Sequence, residues 1–234
     1  MMKSQMIDFN EEKHEYSVNG VKVPSVSEIL APLSSGQYGQ INPIILAQAA
    51  ERGKAIHTIT EGIDYGIEPT EEEVMEWEGY IGAYYQFLLD HEVEWEMIER
   101  IVWMPRFLPK GYPDNENVIY AGTLDRFGFV DGEPSIVDIK TYSSLTTDSQ
   151  MTASCQTQLY KDAVFWTMGE NTEGAYTAIK RYVLHLKKDG KYRLADLDKF
   201  DEERGWASDA VARELTQIWW QKQACYNTGR KRKK

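Results

Sequence analysis

The chain reads as a single α/β domain, and three observations predict it. Residues 120–130 and 133–142 are rich in β-formers and flank Asp131-Gly132, the strongest short-range hairpin signal. Residues 68–91 place Val74, Trp77, Tyr80, Ile81, Tyr84, Phe87 and Leu88 at helical spacing. A length of 234 residues suits one α/β domain, or one with a helical insertion.

Residues 7–23 predict a small strand pair on Ile7, Phe9, Tyr16, Val18, Val21 and Val23, turning at Asn19-Gly20. Pro24-Ser25 leads into a short helix, with Ser25 or Ser27 as cap and Glu28 closing a capping box from Ser25. The polar residues 34–42 read as a loop. A long helix follows over 43–63, with Asn42 as N-cap and Pro43 in its first turn. On it, Gly53, His57 and Glu61 recur every four residues and share one face, with Gly53 leaving room for a close approach. Residues 94–104 read as a strand and 105–117, with three prolines, as a loop. After the hairpin come a helix over 152–167, strands over 176–186 and 192–197 joined at Lys188-Asp189-Gly190-Lys191, and one C-terminal helix from Phe200 to about Asn227. The organisation is thus an N-terminal strand pair and helix (1–42), a core over 43–197 with the helical insertion 68–91, and a C-terminal helix with a basic tail (200–234).

The hairpin concentrates the chemistry. A two-residue loop pairs Val130 with Glu133 and sets Asp125 opposite Asp138. A four-residue loop, which Pro134 also allows, sets Asp125 opposite Lys140. Either even loop places Asp125 on the face of Asp138 and Lys140, with Val137 and Ile139 turned to a core. Like charges across a sheet repel, and a cation relieves them. Carboxylates and water suit Mg²⁺, and Mn²⁺ takes a mixed oxygen and nitrogen set. Taken alone, the D-x-K also fits a solvated lysine–aspartate pair, and His57 alone fits a half-buried histidine bonded to backbone.

Hydrophobic residues make up 42% of the chain, which excludes global disorder. No apolar run approaches the roughly 20 residues of a membrane helix, and no signal peptide is visible. The two cysteines, Cys155 and Cys225, lack CxxC spacing, so a cysteine-built zinc or iron–sulfur site is not expected and a reducing, cytoplasmic location is. A net charge of −11 counts against a broad basic surface, while leaving room for a local basic groove. The basic tail Arg230 to Lys234 reads equally as a phosphate contact and as a solvated terminus.

The order of these motifs resembles the RecB-type branch of the PD-(D/E)XK nuclease superfamily. The matching residues are His57, then Gly122-Thr123-Leu124-Asp125, Asp138-Ile139-Lys140, and Gln156-Thr157-Gln158-Leu159-Tyr160. The resemblance covers about residues 43–170. More loosely, Val23-Pro24-Ser25-Val26-Ser27-Glu28-Ile29-Leu30 looks like phage-encoded members. It implies an αβββαβ restriction-endonuclease-like core, a central mixed sheet flanked by helices. It implies one or two Mg²⁺ or Mn²⁺ ions held by His57, Asp125, Asp138 and the carbonyl of Ile139. Lys140 would position or activate the attacking water, and Glu61 would contribute from its helix. Gln156 and Tyr160 would support the site or contact DNA, along with Arg52 and Lys54. Some relatives carry four iron–sulfur cysteines, which this sequence lacks.

The implied activity is metal-dependent hydrolysis of DNA phosphodiester bonds, as an exonuclease in replication, recombination or DNA processing, in a bacterial host cytoplasm if phage-encoded. The implied partners are DNA, a recombination or single-strand-binding protein, and further copies of the chain. Competing readings are an endonuclease, a catalytically silent DNA-binding subunit with the same fold, and an enzyme acting on a small phosphate substrate.

Overall fold

A computed structural model describes residues 7–18, 20–38, 42–105, 118–168 and 173–231. The expectations for the 105–117 loop and for the end of the basic tail fall outside these residues, apart from Pro105 itself.

A mixed five-stranded sheet forms the centre, in the order β4-β5-β6-β7-β8. Its strands are β4 (Val93–Pro105), β5 (Val118–Val130), β6 (Glu133–Lys140), β7 (Lys180–Leu186) and β8 (Tyr192–Asp196). All neighbours are antiparallel except β6 and β7, which run parallel. That parallel pair needs a crossover. It is supplied by α4 (Thr147–Met168) and α5 (Glu173–Ala178).

Helices cover both faces. On one, α1 (Val26–Tyr38), α4 and α7 (Ser208–Lys231) bury Leu124, Phe127, Ile136, Leu159 and Trp220 together. On the other, α2 (Pro43–Asp64) and α3 (Glu71–Asp90) bury Ile56, Tyr84 and Phe87 against Val137, Ile139 and Leu184. The antiparallel sheet β1 (Ile7–Asn10), β2 (Glu15–Val18), β3 (Val21–Val23) packs Tyr16, Val18 and Val23 on Ala121 of β5. No described helix is long and apolar enough to cross a membrane.

Local chemistry explains several boundaries. The Ser25 hydroxyl accepts from the Glu28 N–H at 3.0 Å, and the Ser25 N–H donates to the Glu28 carboxylate at 2.9 Å, the expected capping box. The Asn42 side chain accepts from the Ile44 N–H ahead of Pro43. Thr70 and Glu73 form a second capping box, which starts α3 three residues later than expected.

Four expectations are corrected. The N-terminal pair is a three-stranded sheet, because Val21–Val23 returns along β2. The supposed loop at 34–42 is helical to Tyr38, since Leu33 anchors α1 to the core beyond Pro32. The strand expected from Tyr176 starts at Lys180. The Tyr176 hydroxyl is bonded to Asp162 and Gln158 of α4, both at 2.6 Å, which holds its segment against that helix as α5. The single C-terminal helix is two, α6 (Leu197–Arg204) and α7, broken at Gly205, whose φ of +62° makes a left-handed cap.

Candidate metal centre

The β5–β6 hairpin turns on Asp131 and Gly132, with φ +53° and +78°, the pair of positive values a type I′ turn requires. Val130 pairs with Glu133 and Arg126 with Val137, so the loop has two residues and the register runs toward Asp125 opposite Asp138. There the ladder ends. The Asp125 carboxylate takes the place of a strand neighbour, and its Oδ2 accepts the Ile139 N–H at 2.7 Å. The Ile139 carbonyl is taken by His57 Nε2 at 3.1 Å. The two main-chain groups that β5 leaves unpaired are thus met by two side chains, Asp125 and His57.

Strict alternation is broken at the same place. Leu124 and Phe127, three residues apart, both join the core under α4. On β4, Glu99 has φ +44°, a left-handed conformation costing on the order of 1–3 kcal/mol for such a residue. It lies between the ladder pairs Ile98–Arg126 and Arg100–Leu124, across from Asp125. The irregularity turns Asp125 and Glu99 toward α2. Asp125 therefore reaches both ways: its carboxylate accepts the Ile139 N–H and lies 3.8 Å from His57, and its charge is felt by Asp138 and Lys140.

His57 Nδ1 lies 3.0 Å from Glu99 Oε1 and 3.8 Å from Asp125 Oδ1. Ligand atoms of His57, Glu99 and Asp125 all fall within 4.8 Å of one another. Burial opposes charge on the His57 ring, but Asp125 and Glu99 outweigh it and carry its pKa up to about 9. Behind them Arg126, with no exposed surface, donates to Asp64 at 2.6 Å, to Glu99 at 3.0 Å and to Thr60 at 3.2 Å.

Asp138 is 1% exposed. Its Oδ1 accepts from Lys140 Nζ at 2.7 Å, while its Oδ2 is buried with no partner among the described residues. Burial pushes the Asp138 carboxyl up, against the pull of Lys140. Burial works against the Lys140 charge too, but Asp138, Tyr142 and Asp125 hold the ammonium well above its ordinary value. Tyr160 is bonded by Gln156 and feels both Asp125 and Asp138. Gly122 explains itself here: a Cβ on it would lie 2.9 Å from both the Tyr160 ring and Val26.

The structure thus brings His57, Asp125, Asp138, the Ile139 carbonyl, Lys140, Gln156 and Tyr160 into one region. Glu61 makes no hydrogen bond or ion pair to the site among the described residues, although Thr60 and Asp64 beside it on α2 both reach Arg126 of β5. Lys54 points away, 79% exposed and 3.7 Å from Glu11. Arg52 stands nearby, its Nε 3.4 Å from the Thr141 hydroxyl, and lines an open cleft of about 300 Å³ with Trp77, Tyr80 and Lys188. No described residue lies within 4 Å of a Cβ placed on Gly53. Sequence reasoning missed Glu99, Arg126 and Asp64. Arg126, a charge amid the apolar residues of a central strand, was the available signal.

No protein-family model matches the chain, and no curated protein matches it. Among solved structures, the crystal structure of SSO0001 is similar over 84% of this chain and 75% of its own, with 13% identity and a TM-score of 0.42.

Proposed function

We propose that this chain is a divalent-metal-dependent DNA nuclease with a PD-(D/E)XK-type centre. The observation that carries the reading is the buried Asp138 Oδ2 without a partner, beside Asp125 and Lys140. An unpaired carboxylate oxygen in a dry site is costly, and a hard cation is the partner that suits it. Asp125, Asp138, His57 and the Ile139 carbonyl would hold Mg²⁺ or Mn²⁺. Carboxylates with one imidazole fit Mn²⁺ as well as Mg²⁺.

When bound, such an ion lowers the pKa of a water and offsets charge on a phosphoryl group. The chain's own residues supply the rest. Lys140, fixed by Asp138 and 17% exposed, keeps a proton and a positive charge beside the carboxylates, suited to charge developing on a phosphate oxygen. Tyr160 and Gln156 brace the floor from α4. Arg52, on the His57 helix, offers a cation at the rim for a phosphate of the DNA strand.

The test is a cleavage assay on purified protein with end-labelled linear duplex and closed circular DNA, in Mn²⁺, Mg²⁺ or EDTA. Metal-dependent loss of the linear substrate alone supports an exonuclease. Cutting of the circle moves the reading to an endonuclease. Binding of DNA without cleavage, in any metal and on single strands as well, makes the silent subunit the better account.

A further inference from the structure

Glu99 is held in a conformation that its place in the chain does not call for. It is an ordinary L-residue with φ +44° inside a long strand, with ladder pairs on both sides. The conformation delivers its carboxylate to two donors, His57 Nδ1 and Arg126 Nη1, each at 3.0 Å from the same oxygen. Arg126 has little freedom. It is fully buried and also donates to Asp64, Thr60 and the Asp125 carbonyl. The order of support is therefore Asp64 to Arg126, Arg126 to Glu99, and Glu99 to one nitrogen of His57. The other nitrogen faces the Ile139 carbonyl, itself one of the proposed ligands, at 3.1 Å.

We propose that Glu99 is the positioning residue of this centre: its carboxylate holds the His57 Nδ1–H and so fixes the ring with Nε2, which donates to the Ile139 carbonyl in the metal-free chain, as the nitrogen that gives up its proton and takes a divalent ion. The inference rests on reading the site as a metal-dependent centre. A histidine that ligates through one nitrogen needs its other nitrogen held, and a carboxylate fixes the tautomer, orients the ring and raises its basicity. A rival role exists for Glu99, as a ligand itself together with His57 Nδ1 and Asp125, whose atoms cluster within 4.8 Å. Arg126 argues against it, because a permanent cation already sits on the oxygen that faces His57 and repels a second cation there. The left-handed backbone at Glu99 is what sets the carboxylate at that spot, where a regular strand would have turned it away.

The experiment titrates Mn²⁺ calorimetrically into the full chain as wild type, Glu99→Ala and Glu99→Gln, and records imidazole ¹⁵N spectra with Zn²⁺ as a diamagnetic probe. Glu99→Ala is expected to weaken Mn²⁺ binding about 10–100-fold. Glu99→Gln, which still accepts from Arg126 and so preserves the fold, is expected to weaken it about 10-fold, the low end of the range for a lost outer partner. Stoichiometry should match wild type in both, and wild-type spectra should show Nε2 as the metal-bound nitrogen with Nδ1 protonated. Wild-type affinity in Glu99→Gln, or Nδ1 as the metal-bound nitrogen, would overturn the assignment. A wild type that binds Mn²⁺ and cleaves no DNA sinks the nuclease reading and leaves this role standing. A wild type that cleaves, with affinity unchanged in both variants, does the reverse.

Discussion

Two clusters of buried charge sit on the same sheet and differ in one atom. Around Arg181, every group is answered. The guanidinium donates to Asp198, Asp201, Ser208 and the Ser154 carbonyl. Asp201 accepts from Ser154 at 2.7 Å through one oxygen and from Arg181 and Ser208 through the other. Around Asp138, one oxygen has Lys140 and the other has nothing. The first cluster joins α4, α6, α7 and β7 and has no remaining capacity for a ligand. The second is left incomplete by the protein, at a place where a strand pair parts. A satisfied buried network specifies a fold, and a half-satisfied one costs stability unless something outside the chain completes it.

The largest way to separate the two is to substitute each. Asp138→Asn should lower metal-dependent DNA cleavage by about 10³-fold or more, the scale of losing a principal electrostatic group. In EDTA it should leave thermal stability equal or higher, since burial already disfavours its charge. An Asp138→Asn protein that cleaves normally would dissolve the contrast. Arg181→Met should do the opposite. It leaves Asp201 and Asp198 facing no cation, and urea unfolding should show a loss of about 3–5 kcal/mol. Cleavage per folded molecule should stay at the wild-type level.

Gly122→Ala probes the wall between the site and the α1/α4 core. The added methyl meets Tyr160 and Val26 at 2.9 Å, and overpacking of this kind costs about 1–3 kcal/mol. A melting temperature unchanged from wild type would show that Tyr160 can yield.

The smallest effect is a pH dependence. The folded-state pKa of His57 is carried above the ordinary value, to about 9. Its contribution is therefore fully present below about pH 6.5, the unfolded value, and is lost as pH rises through about 9. In EDTA this should remove about 1–2 kcal/mol between those limits, after allowance for a ring that keeps some solvent contact. Denaturant midpoints at pH 6.5 and 9 should fall accordingly, and His57→Gln should flatten the trend. The Arg181 guanidinium keeps its proton throughout that window, so Arg181→Met should leave the slope as it is.

How far this was legible in sequence depends on the range of the forces involved. The hairpin was legible, because Asp131-Gly132 sets its own turn and the turn sets the register. The capping boxes and the Asn42-Pro43 helix start were legible for the same local reason. The mixed sheet flanked by helices was an implication of the family resemblance, which rests on the order of the motifs. Glu99 was not, because a left-handed residue inside a strand answers to Arg126 and His57, which lie 27 and 42 residues away. Helical spacing put Glu61 on the His57 side of α2, while the bonds to Arg126 come from Thr60 and Asp64, since spacing says which residues share a face but not which of them meets a partner. The break at Gly205 carries a signal in the glycine itself, although the apolar spacing continues on either side.

Ile139 gives the site an unusual genetics. Its side chain is fully buried in the core under α2 and α3, while its amide and carbonyl serve Asp125 and His57. Every amino-acid exchange at that position except to proline, which lacks the N–H, edits the core and leaves the functional groups in the chain. A saturation screen would therefore score Ile139 as a packing residue, tolerant of Val or Leu, and would overlook its other role. Replacing the 138–139 amide by an ester, through chemical ligation, removes the one hydrogen that Asp125 accepts while sparing the side chain, and so addresses the second role by itself.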